Sequence, residues 1–210
     1  MTSTSTVDYQ RTDGHALRLT FAEPDGALRG GLVVLHEGDG VTDGVVFLVA
    51  SLAGEGWLTV TPHIASGEKL TQQDLLDATD ITLEWLVERG VDADLRGVVG
   101  FDLGGTAALV VASHRKLGAA VSVGGQGVTE LPRLLDIAGH VTSPWLGMYG
   151  DAGDDAGGAE VEQLREAAAS AKVATNVVRY PGANHRFDAD PGAAEEAWQR
   201  TLDWFDAHLR

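Results

Sequence analysis

Apolar residues along this chain recur in blocks whose period switches repeatedly between about two and about 3.6 residues. Short apolar runs at 16–21 and 30–36 predict the first two strands. Residues 45–53 then predict a helix and 57–62 another strand. Over 72–88, Leu76, Leu83, Leu86 and Val87 stand at helical spacing. Further strands are predicted at 97–101, 119–123, 145–149 and 176–180, each followed by a helical pattern. Val161, Leu164, Ala168 and Ala171 mark one helical face, and Trp198, Leu202, Phe205 and Leu209 mark the last.

Strands alternating with helices predict a mainly parallel sheet covered on both faces, a doubly wound α/β fold. Right-handed crossovers would place the functional loops at the carboxyl ends of the strands. No repeat, linker or low-complexity tract interrupts the sequence, and residues 1–210 read as one domain with enough chain to bury a full core. Residues 1–9 are polar and Thr/Ser-rich, without the charged start and apolar centre of a signal peptide.

Composition narrows the partners. A formal charge of −16 argues against nucleic acid and anionic membrane, both of which require a basic surface. No apolar run approaches the ~20 residues that span a bilayer. The chain contains no cysteine, which excludes disulfides and thiolate metal sites. A cytoplasmic monomer or homodimer acting on a small molecule, with neither cofactor nor metal, is the expectation.

The chemistry gathers on three predicted loops. Gly100-Phe101-Asp102-Leu103-Gly104-Gly105 joins an apolar strand to an apolar helix, with glycines two before and two after Asp102. That is the sequence of a nucleophile elbow, in which small neighbours leave room for a strained turn. Taken alone, it also fits a plain strand-to-helix turn with Asp102 as N-cap. Gly150-Asp151-Ala152-Gly153-Asp154-Asp155 follows the strand 145–149, and Pro181-Gly182-Ala183-Asn184-His185-Arg186-Phe187 follows 176–180. The chain order of elbow residue, acid and histidine is the order an α/β-hydrolase uses. An imidazole on the last loop would act as general base, with an acid holding its tautomer.

On these residues, together with Leu32-Val33-Val34-Leu35-His36-Glu37 and Pro144, the chain resembles the dienelactone hydrolase family of α/β-hydrolases over essentially its whole length. The resemblance implies an α/β-hydrolase fold without a cap domain. It also implies a site in which the elbow residue, the acid and the histidine fall on Asp102, Asp154 and His185. Asp154 stands seven residues before Val161, where the next family-like helix starts; Asp151 and Asp155 are the alternatives. Glu37 falls where the family carries a glutamate near its nucleophile. The backbone N–H groups of Leu103 and Gly38 would form the oxyanion hole. Trp57, His63 and Arg186 are candidate pocket residues, and Lys69 is a further candidate cation.

Asp102 departs from the family, which carries a cysteine at the elbow. A carboxylate attacking an ester would give a reactive anhydride, but it is a sound nucleophile toward an sp³ carbon bearing a leaving group. Glu37 beside Asp102 would raise one of the two carboxyl pKa values and favour an acid or hydrogen-bonding role. Three readings follow: a hydrolase of a small ester, lactone or alkyl-type substrate; a non-hydrolytic small-molecule binder; and a proton-transfer lyase or isomerase.

Overall fold

The computed structural model describes residues 2–11, 13–36, 40–64, 71–125, 133–151, 155–187 and 189–210. Among the described residues, eight strands form one sheet: β1 (Thr4–Gln10), β2 (Ala16–Ala22), β3 (Gly31–Leu35), β4 (Leu58–Pro62), β5 (Arg96–Phe101), β6 (Ala119–Val123), β7 (Trp145–Gly150) and β8 (Thr175–Tyr180). Their spatial order is β1-β2-β4-β3-β5-β6-β7-β8. β1, β2 and β4 pair antiparallel, and every pair from β4 through β8 is parallel.

The parallel core follows from burial on both faces. Every residue of β3 is buried, and its side chains alternate between the two faces. Val33 and Leu35 join Val98 in one cluster, whereas Leu32 and Val34 join Val99 in the other. Helices α2 (Gln72–Glu88), α3 (Leu103–His114), α4 (Leu134–Ile137) and α5 (Asp155–Ala168) supply the first cluster; α1 (Asp43–Gly54) and α6 (Pro191–His208) cover the second. Helix α3 is buried from Gly104 to Ala112, as a helix apolar on all sides should be.

The starts of α2 and α6 are set by side chains that satisfy the first free N–H groups. Thr71 and Asp74 form a reciprocal capping box on α2. Asp190 accepts from Gly192 and Ala193 at the start of α6, whose first residue is Pro191.

The structure corrects three details of the sequence pattern. A strand occupies Thr4–Gln10, where none is predicted; its residues are half-buried or exposed at the sheet edge. Helix α5 ends at Ala168, short of Ala171. The fully buried stripe of α6 is Ala193, Ala197, Thr201 and Phe205, while Trp198 and Leu202 only flank it. Trp198 is large enough to dominate a sequence pattern from a flanking position. Among the described residues, no helix is long and apolar enough to cross a membrane.

Candidate active site

Asp102 sits between β5 and α3 with φ 51° and ψ −118°. This region is unfavourable for a residue with a side chain and costs about 1–3 kcal/mol. The neighbours hold it there. The Asp102 N–H donates to the Val123 carbonyl at 2.8 Å, and the Asp102 carbonyl accepts from Gly105 at 2.8 Å. Gly104 packs so closely under β3 that a Cβ would collide with the Leu35 carbonyl oxygen. Gly104→Ala should therefore destabilise the protein by about 3 kcal/mol, the upper end of what overpacking costs. A urea midpoint equal to wild type would show that the contact yields more easily than its geometry implies.

The loop after β8 brings His185 across the carboxyl end of β6. Gly124, at φ +72°, carries no side chain beneath it; a Cβ there would strike the His185 carbonyl oxygen. The base of this loop is pinned by Asp151, which ends the run from β7. Its carboxylate is fully buried, accepts from the Gly182 N–H at 2.7 Å, and pairs with Arg179 Nε at 2.5 Å. At the far end of the loop, Phe187 is buried at φ 61° with its ring edge-on to Tyr180, 5.0 Å between centroids.

Two consecutive loop residues converge on one carboxylate. His185 Nδ1–H donates to Asp102 Oδ1 at 2.8 Å, and Arg186 Nε–H donates to Oδ2 at 3.0 Å. The Asp102 side chain is 6% exposed, against 39% for His185 and 50% for Arg186. The buried carboxylate thus has each oxygen engaged, while the imidazole remains reachable from solvent. Among the described residues, His185 Nε2 bonds to no other group. Leu103 is the first helical residue of α3, so its N–H has no intrahelical acceptor.

The other predicted site residues distribute differently. Trp57 does not belong to this site. It precedes β4, at the amino end of the sheet, is 1% exposed, and packs on Phe205 with Arg29 over its ring. His63 follows β4 at the correct end of the sheet, but its Nε2 bonds the Thr20 hydroxyl at 2.8 Å, toward β2 and away from Asp102. Burial, then Arg18 and His36, push its pKa below the usual histidine value. Asp155 opens α5. Asp154, Glu37, Gly38 and Lys69 lie outside the described residues.

Sequence reading missed the roles of Arg186 as a partner of Asp102, of Asp151 as an anchor of the histidine loop, and of His36. His36 is buried directly after β3, and its Nε2–H donates to the Pro62 carbonyl at 2.8 Å, tying together two strand ends. Its position next to Glu37 in a strand-end segment was the available signal.

An eight-stranded sheet in this order, with a strained residue between β5 and α3 and a histidine after β8, is the architecture of an α/β-hydrolase. Residues 67–209 match the profile of the Dienelactone hydrolase family. A Salmonella typhimurium protein bearing the provisional name carboxymethylenebutenolidase is 30% identical over 227 residues, covering 92% of this chain and 84% of its own. A Yersinia pestis protein of the same provisional name is 29% identical over 207 residues, covering 84% and 78%. The crystal structure of a Klebsiella pneumoniae protein, provisionally described as a dienelactone hydrolase, matches with a TM-score of 0.82 at 28% identity. It covers 98% of this chain and 99% of its own. The chain belongs to the dienelactone hydrolase family, a family of hydrolases.

Proposed function

We propose that the protein hydrolyses a small ester or lactone with water as the nucleophile, His185 as general base and Asp102 as the carboxylate that orients it. The observation that carries this reading is the engagement of both Asp102 oxygens, one by His185 and the other by Arg186. A carboxylate held in this way is poorly placed to attack carbon and well placed to fix the proton of His185 on Nδ1. Nε2 is then the basic nitrogen, on a ring open to solvent.

The steps balance with no further reactant. Nε2 takes a proton from water as its oxygen adds to the carbonyl carbon. The Leu103 N–H donates to the resulting oxyanion, with Gly38 as a second donor by family resemblance. The tetrahedral intermediate collapses, the bond to the leaving oxygen breaks, and Nε2–H protonates that oxygen. Asp102 keeps its bonds throughout.

A single turnover in ¹⁸O-labelled water separates this route from attack by Asp102. Label in the released acid and none in the peptide containing Asp102 is the expected result. Label in Asp102, with an unlabelled alcohol product, would assign the carboxylate as nucleophile through an alkyl-enzyme ester and replace the water mechanism.

A further inference from the structure

Beside the Asp102–Arg186 pair lies a cleft of about 350 Å³. Val34 from β3, Val45 and Leu48 from α1, and Phe101, the residue before Asp102, give it an apolar lining, with His36 and Thr42 as polar members. Arg186 also lines it. Helix α1 is apolar on more than its buried side, which holds Val49, Leu52 and Ala53; Val45 and Leu48, which line the cleft, are only half-buried. Leaving such residues at a cleft wall is unfavourable in water and becomes favourable when an apolar group covers them.

We infer that this cleft is an acyl-chain site, and that the protein selects open-chain esters of uncharged, apolar carboxylic acids, with Leu48 and Phe101 setting the chain length. This inference rests on the ester-hydrolysis reading above and adds the substrate class. The carbonyl carbon of an ester carries three substituents, and the geometry assigns each a direction. The carbonyl oxygen must face the Leu103 N–H at the start of α3. The leaving oxygen must lie within reach of His185 Nε2, which returns the proton. The acyl chain takes the remaining direction, toward Phe101, Val34 and α1, where His185 contributes no wall. A volume of 350 Å³ corresponds to about a dozen water-sized groups of ~30 Å³, room for a chain of several methylenes. A second cavity of about 370 Å³ lies toward α4 and α5, but Arg133, Glu160 and Gln163 on its walls suit a polar occupant. The formal charge of −16 further disfavours anionic acids.

Nitrophenyl esters from acetate to octanoate test the proposal, beside alkyl acetates of increasing alcohol length. For the acyl series, kcat/KM should rise about fourfold per methylene, the factor for burying one such group, and level off near hexanoate. The alcohol series should be shallow. Leu48→Trp, which places an indole in the cleft, should lower the hexanoate-to-acetate ratio at least tenfold. A flat acyl series, a steep alcohol series, or a ratio unmoved by Leu48→Trp would overturn the assignment while leaving ester hydrolysis standing. If wild type hydrolyses none of these esters, the hydrolytic mechanism fails on its own. The cleft is then judged by calorimetry with nitrobenzyl alkyl ketones, in which CH₂ replaces the ester oxygen. Binding that tightens with chain length and weakens in Leu48→Trp supports the site; binding indifferent to both rejects it.

Discussion

Replacing Asp102 with asparagine should lower kcat/KM for a short-chain ester by about 10²- to 10⁴-fold, the range a positioned general base supplies. The size of the effect comes from Arg186. Its guanidinium can only donate, so it requires an oxygen at the position now held by Oδ2. The single oxygen of the amide turns to Arg186, and its NH₂ group faces His185. Nδ1 must then accept, the ring proton moves to Nε2, and the base that faced solvent is lost. Shape and burial hardly change, so thermal stability should stay near that of wild type while turnover collapses. Activity within tenfold of wild type in a normally folded Asp102→Asn would rule out His185 as a base oriented by this carboxylate.

Asp102→Cys should have the opposite character, gaining a route rather than losing one. The variant places a thiol at the same strained turn, beside His185 and Arg186 and at the amino end of α3. A neighbouring cation and a helix amino terminus both favour the thiolate. With an activated nitrophenyl ester, we expect a burst of nitrophenol close to one per protein, which water attack in the wild type cannot give, and a trapped acyl-enzyme visible by mass spectrometry. The steady rate should exceed wild type at least tenfold. A folded Asp102→Cys with neither burst nor adduct would mean that the surroundings have specialised around a carboxylate.

Much of this architecture was legible in the sequence because it depends on local pattern. Seven of the eight strands follow from apolar runs, and the elbow follows from glycines whose spacing has a steric cause. The exception, β1, is instructive. An edge strand with one solvated flank needs no apolar run, and Thr4, Ser5, Thr6, Asp8 and Gln10 show none. At the site, chain order brought Asp102 and His185 to the same strand ends, but it could not show that the next residue, Arg186, takes the second oxygen. That contact depends on the turn of the backbone through Phe187 and on the bare Gly124 beneath. Trp57 was misplaced for a different reason: as the first residue of the predicted strand 57–62 it belonged at the amino end of the sheet, away from the loops that carry the chemistry.

The glycine seats around position 102 also bear on how such a protein changes its chemistry over evolutionary time. The bend at Asp102 is imposed by what surrounds it: Gly104 against Leu35, Gly124 beneath the histidine loop, and the Val123 carbonyl on the Asp102 N–H. None of these contacts involves the side chain at 102. The bend therefore does not depend on the side chain at 102, whose own hydrogen bonds go to His185 and Arg186 on the loop after β8. Asp and Cys codons differ at more than one nucleotide, so a passage between a carboxylate and a thiol runs through Gly or Tyr at this position. The residues that resist replacement are the small ones on either side.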